Sequence, residues 1–450
     1  MQQIDFSQGS IRRRILAVAT PMLIAQLLNL LYNIVDRIYI GKIPGEGTLA
    51  LASIGLCFPF VTLITAFANL FGLGGAPLCA MARGKGNREG AQGIMVNAGF
   101  MLLLSGAVLT VLGIAFHRPL LYLFGASEVT YPYASSYIVI YLIGTLCVML
   151  SLGLNPYINC QGFARTGMLT VALGAAANIV LDPILIFGLL GFPRMEVAGA
   201  AVATIVGQFV GAGLGLFLNL KKNPEVQIHL KDIRPHRATV ADIYAIGIPS
   251  IIMQSIGSVM MFGMNKILIS FTEAATAVFG AYFKLQSFIF MPCFGLNNAM
   301  VPIVSYNYGA QKFDRVRKTV RLTVFTAIGI MCVGCALFEL IPETLLGMFS
   351  PTDEMLSIGR VALRIIGVHF PLAGFSIIAG SACQALGKPI YALINSVCRQ
   401  IVVLLPAAYL LSLTGRLELV WLAFPIAEVV SVILNATFLR LTYRVSLERK

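Results

Sequence analysis

Charge is scarce in this chain. Asp, Glu, Lys and Arg make up 11% of its 450 residues, against about 25% in an ordinary soluble domain, so water is not its main solvent. Histidine is nearly absent too: the four copies are His117, His229, His236 and His369. Three lie in loops and the fourth has no acid in its helical neighbourhood, so no nucleophile and base pair is recognisable. That disfavours a membrane-embedded enzyme such as an acyltransferase. The nine cysteines lie in or beside apolar segments and form no paired framework. Cys332 and Cys335 have a CxxC spacing but sit in mid-helix without nearby His or Asp, so they read as packing residues, and neither a structural metal nor a cofactor is expected. No polar stretch is long enough for a separate sensing domain, which excludes most receptors.

Apolar side chains are what the chain has in abundance, at 58% of residues. At about 20 residues per bilayer-crossing helix, the length accommodates about twelve spans. Runs of that kind fall near residues 15–40, 50–76, 94–116, 134–158, 167–190, 197–220, 242–270, 276–303, 320–341, 359–383, 389–413 and 418–441. The first follows Arg12, Arg13 and Arg14, outlasts a signal-peptide core and has no small-residue cleavage pattern, so it is read as a retained span. The predicted fold class is all-α, with twelve transmembrane helices in two six-helix bundles.

The formal charge of +13 suggests nucleic acid only where bases form a patch on a soluble domain. Here they sit in short loops. With the N-terminus cytoplasmic, twenty-two Lys and Arg fall on that side, while Lys42, Arg118, Arg194 and Arg416 fall on the other with Glu46, Glu128, Glu196 and Glu273. The positive-inside rule then places both termini in the cytoplasm of a bacterial inner-membrane, multi-pass protein.

The longest polar connection carries Pro224 and Pro235 at the midpoint of the chain. It divides an N-terminal lobe, 1–220, from a C-terminal lobe, 241–450, with 221–240 as linker. The halves match in order. Pro21 and Gln26 correspond to Pro249 and Gln254 at an offset of 228, and Gly55, Pro77 and Gly84 to Gly280, Pro302 and Gly309 at 225. Cys160, Gln161 and Pro183 correspond to Cys383, Gln384 and Pro406 at 223. Six spans per half make this a parallel repeat, able to rock about a central cavity. The matched prolines are expected to bend helices at equivalent places, unless they reflect only the general frequency of proline in membrane helices.

A carboxylate at bilayer depth costs about 2.5–3.5 kcal/mol on insertion scales, so buried acids are the first functional candidates. On the first span Gln26, Asn29, Asn33 and Asp36 share one face, and on the fifth Asn178 and Asp182 are spaced i, i+4. Both spans run outward, and both acids fall in the outer half of the membrane. Two carboxylates in one low-dielectric pocket cannot both stay charged without compensation, so a proton, Na⁺ or a cationic substrate can be held in exchange. The competing reading of Asp36 is an interfacial acid reaching headgroup water, and that of Asp182 a structural acid bonded to Asn178. The second half has Met264 and Leu405 at the matching sites; its charges at depth are Lys266, Lys284, Arg399 and Glu428. Lys284 either lines a cavity or snorkels outward, and Glu428 is expected to pair with one of these bases. Met253, Met260, Met261, Met264 and Met291 suit an adaptable cavity or a lipid-facing surface. Tyr137 and Tyr141 offer aromatic faces to a cation.

Several stretches resemble the multidrug and toxic compound extrusion (MATE) family, and the resemblance covers essentially the whole chain. They are NIVDRIYIG at 33–41, CQGFARTGM at 160–168, NIVLDP at 178–183, GAAVAT at 199–204, FKLQSFIFMP at 283–292 and NYGAQ at 307–311. The last two resemble its DinF-like and MepA-like branch. The resemblance implies a monomeric antiporter of two lobes that exports amphipathic, cationic organic compounds in exchange for H⁺ or Na⁺. It places the coupling site, and any Na⁺, on Asp36, Asn178, Asp182 and Thr204, with Asn33 beside them. The acid that the NorM branch carries on helix 7 has no counterpart here. A substrate cavity is expected to draw on Gln26, Asn29, Tyr137, Tyr141, Gln254, Met261, Lys284 and Met291. Small organic molecules and membrane lipids are the expected partners, and no nucleic acid. The competing transport reading, a flippase for a lipid-linked precursor, calls for more arginines at depth.

Overall fold

A computed structural model describes residues 3–222 and 236–447. Among them the chain is helical, with no strand. The first six helices are α1 (Ile11–Gly41), α2 (Gly47–Gly84), α3 (Arg88–Leu123), α4 (Tyr131–Ile143), α5 (Thr145–Cys160) and α6 (Ala164–Phe187). Then come α7 (Val197–Lys222), α8 (Arg237–Ile269), α9 (Glu273–Gly309), α10 (Phe313–Leu340), the short α11 (Pro342–Gly347), α12 (Asp353–Gly367) and α13 (Phe370–Ala385). Next, α14 (Pro389–Val397) passes through a π-helical turn (Cys398–Leu404) into α15 (Leu405–Ser412); α16 (Leu417–Val420) and α17 (Ala423–Leu447) end the chain. Among the described residues ten helices or continuous helical runs are long and apolar enough to cross a membrane, and two bent pairs bring the number to as many as twelve. The protein is a multi-pass membrane protein.

Local chemistry sets the helix ends. Asn87 accepts from Gly90 N at 2.8 Å to start α3, and Thr352 accepts from Met355 N at 3.2 Å to start α12, with Asp353 and Glu354 in the first turn. After α2 the chain turns through Gly86 at φ 75°, and after α9 through its repeat counterpart Gln311 at φ 57°. The repeat thus extends to a left-handed turn residue that glycine supplies freely and glutamine adopts at a cost. Large apolar side chains such as Phe58, Val111, Phe262, Phe325 and Leu410 stay exposed, as hydrocarbon solvent permits.

The sharpest bends fall at breaks between helices, not at the matched prolines inside continuous helices. Helix runs unbroken through Pro21, Pro77, Pro183, Pro249 and Pro302. The sharp bends are at Gly144, where α4 meets α5 at 58°, and between α12 and α13, at 48°, where His369 stands at the start of the second helix. The same offset that relates Gly55 to Gly280 relates Gly144 to His369, so the two bends are repeat counterparts. Neighbouring groups re-satisfy the backbone that a membrane proline frees, so the helix continues through it. At Gly144, by contrast, the Ile205 side chain fills the space where a Cβ would sit, so packing decides the bend.

The chain forms two compact units, one of Met1–Asp5 and Thr20–Gly247, the other of Phe6–Ala19 and Ile248–Lys450. Most of the expected linker, 223–235, lies outside the described residues. The boundaries fall inside α1 and α8, after Ala19 and after Gly247. These too are counterparts, each just before a matched proline, Pro21 or Pro249. In the second unit the N-terminal stretch is held by side chains at the end of α9 and the start of α10. The Asn307 amide donates to Phe6 O at 3.0 Å, and the Arg315 guanidinium donates to the carbonyls of Phe6, Gln8 and Gly9 at 2.8–2.9 Å.

The first unit's core is fastened partly by Tyr157 of α5. Its hydroxyl donates to Phe71 O of α2 at 2.8 Å, in space left by Gly75, where any Cβ would overlap it. Tyr157→Phe removes that inter-helix bond while the helix ladder keeps the Phe71 carbonyl partnered, a loss of about 1 kcal/mol. A melting temperature a few degrees lower in detergent is expected; an unchanged one contradicts this role.

Candidate functional site

The first unit gathers polar groups from α1, α4, α6 and α7 around two carboxylates. On α6 the i, i+4 spacing puts Asn178 and Asp182 on the same buried face, Asp182 fully enclosed. With its amide oriented to satisfy both ends, Asn178 donates to Asp182 Oδ2 at 3.2 Å and accepts from Thr204 N of α7 at 3.2 Å. This bridge requires α6 and α7 to lie close together. Gly174 and Gly207 provide that: a Cβ on Gly207 would come within 2.6 Å of Gly174 O, and one on Gly174 within 2.7 Å of Gly207 O.

Asp36 of α1 lies within electrostatic reach of Asp182. Its Oδ1 is buried without a hydrogen-bond partner. The adjacent base, Arg37, is exposed on the next position of the helix, about 100° around it. Tyr137 of α4 neighbours Asp36 and stacks on Tyr141 at 6.1 Å between centroids, both rings being buried. The expected quartet Asp36, Asn178, Asp182 and Thr204 is therefore brought together, with Tyr137 and Tyr141 beside it. Asn33 is exposed and its amide goes to Asn29 O at 2.7 Å, so it stands beside the group. Gln26 and Asn29 are half-buried on the same helix.

Two members escaped the sequence reading. Tyr32 of α1 is within reach of Asp36, Asp182 and Gln208 of α7. The signal was present: Asn29, Tyr32 and Asp36 follow i, i+3, i+7, and Gln208 is one turn after Thr204.

The remaining cavity candidates belong to the second unit. Gln254 is exposed, and Met261 and Met291 are half-buried. Lys284 is exposed with its ammonium 5.7 Å from the Phe349 ring centroid. Glu428 takes Arg399 as its partner, as the sequence led us to expect, with Arg399 Nη1 3.1 Å from Glu428 Oε2.

Chemically, the first-unit cluster offers only oxygen and amide donors around two carboxylates. That donor set suits a proton or a hard monovalent cation rather than a thiophilic metal. Among the described residues no group of three or more His, Cys, Asp or Glu is placed to hold a metal ion.

Comparison with known proteins addresses the chain as a whole. The MatE family model matches residues 21–184 and again 249–410, so the family unit occurs twice, as the internal offsets indicated. A FAD transporter of Shewanella oneidensis is 27% identical over 419 residues, covering 93% of this chain and 92% of its own. The multidrug export protein MepA of Staphylococcus haemolyticus is 26% identical over 434 residues, covering 96% and 94%. A structure described as the outward-facing conformation of a multidrug resistance MATE family transporter of the MOP superfamily superposes with TM-score 0.90 at 25% identity, covering 100% of this chain and 99% of the other. The chain thus belongs to the MatE family of multidrug and toxic compound extrusion proteins, and is a membrane transporter rather than an enzyme.

Proposed function

We propose that the protein is a cation-coupled exporter, a monomer of the bacterial inner membrane with both termini cytoplasmic. It carries amphipathic organic compounds outward in antiport with H⁺ or Na⁺ by alternating access of its two lobes. The observation that carries this reading is that half-buried Asp36 lies within electrostatic reach of buried Asp182, with no ion pair to a base for either acid among the described residues. A cation must compensate such a pair, and whichever one is bound changes the electrostatic balance of the first unit. Stacked Tyr137 and Tyr141 beside the acids favour a cargo with delocalised positive charge.

Energised vesicles with an imposed pH or Na⁺ gradient test the reading, with a lipophilic aromatic cation as cargo in one arm and a flavin nucleotide in the other. Gradient-driven movement of the cation supports multidrug export. Movement of the flavin alone supports the second reading, which the FAD transporter relative favours. Cargo binding without gradient-driven movement of either removes the antiport proposal.

A further inference from the structure

The second unit buries a polar cluster of its own, at positions that the repeat relates to those of the first. An offset of 224 carries Thr204 onto Glu428 of α17, and one of 225 carries Gly144 onto His369. Arg399 is on the span that matches α6, and Tyr282 on the helix that matches α2. Glu428 is 3% exposed and pairs with Arg399, which is 30% exposed. Tyr282 and His369 lie within electrostatic reach of both charges. The Tyr282 hydroxyl, Glu428 Oε1 and Arg399 Nε have no hydrogen-bond partner despite their burial. Around them Phe279, Phe338, Phe370, Trp421 and Phe424 close an aromatic wall.

Two features set this cluster apart. Where the first unit has Asp36, the second has fully buried Met264, so one carboxylate is present instead of two. That carboxylate is met by a base which arrives on a π-helical turn. Such a turn rotates the residues before it relative to an α-helix and recurs at functional sites.

We infer that Arg399 is a tethered counterion: in the second unit it takes the place that an exchangeable cation takes in the first, and so keeps that unit indifferent to the coupling ion. The inference rests on the coupling role proposed above for Asp36 and Asp182. It makes Glu428 a latent site for a monovalent cation, with Tyr282 as an additional oxygen ligand, and assigns the asymmetry of the two lobes to one side chain. A buried carboxylate deprived of its partner must recruit another cation.

The test uses the full chain, purified in detergent, and measures melting temperature against Na⁺ with choline holding ionic strength constant. In an Asp36→Asn, Asp182→Asn background no saturable Na⁺ effect is expected. Adding Arg399→Ala is expected to create a saturable Na⁺-dependent rise of several degrees, by mass action on the folded state. Adding Glu428→Gln to that variant is expected to abolish it. Should Arg399→Ala fail to fold, Glu428→Gln alone supplies the converse, because the stranded guanidinium is then expected to gain stabilisation from chloride over gluconate. The inference is overturned if Arg399→Ala folds without a Na⁺ response, if that response survives Glu428→Gln, or if Glu428→Gln shows no anion effect. A wild type whose Na⁺ and proton responses both equal those of the background variant contradicts the first-unit coupling role instead, and the two failures are told apart.

Discussion

Asp182→Asn is expected to cut gradient-driven efflux by about tenfold or more while cargo binding persists, and Asp36→Asn to do the same. Asparagine has the same shape as aspartate and still bonds to Asn178, so packing around α6 is kept and only the charge is lost. Without that charge the cluster no longer distinguishes a bound cation from none. A tenfold loss of rate corresponds to about 1.4 kcal/mol on the barrier of the limiting step. The measurement is initial efflux rate in energised vesicles with imposed gradients, beside equilibrium binding of the same cargo to purified protein. Undiminished coupled efflux in both variants removes these acids from the coupling site. Equal loss of binding and efflux makes them cargo ligands.

The second large effect needs no charged residue. Gly207→Leu forces a side chain against Gly174 O, which a Cβ alone would approach to 2.6 Å, and against Asn178 Cβ at 3.3 Å. Backbone cannot swing aside as the tip of a side chain can, so α6 and α7 must part. Overpacking of this kind costs about 1–3 kcal/mol or more, and contacts between small residues are what hold membrane helices together. The parting also breaks the bridge from Asn178 to Thr204. We expect a lower melting temperature together with loss of coupled efflux, although every titratable group is retained. Gly213 on the same helix faces open space, so Gly213→Leu is the matched control. Equal behaviour of the two variants contradicts the close-approach argument.

Span number, the twofold repeat and the polar faces of Asp36 and of Asn178 with Asp182 were legible in the sequence because each is a local or strictly periodic property. Hydropathy needs no knowledge of neighbours, and the spacing from Asn178 to Asp182 fixes a common face whatever the rest does. Tyr32 and Gln208 obeyed the same periodicity, but a tyrosine and a glutamine stand out less than an acid at depth. The bends at Gly144 and His369 were illegible for a different reason. Both interrupted runs read as continuously apolar, and the break depends on what packs against it, such as Ile205 against Gly144. The crossing of Phe6–Ala19 into the second unit likewise rests on long-range hydrogen bonds from Asn307 and Arg315, which no window along the chain contains.

The two bends also bear on descent. Halves that break at corresponding positions, with no shared residue at the break, inherited the geometry from one ancestral six-span unit. Gly144 and His369 are two different solutions to the same architectural demand. The bend is thus a demand of the architecture that either residue meets, whereas the charges at depth differ between the halves.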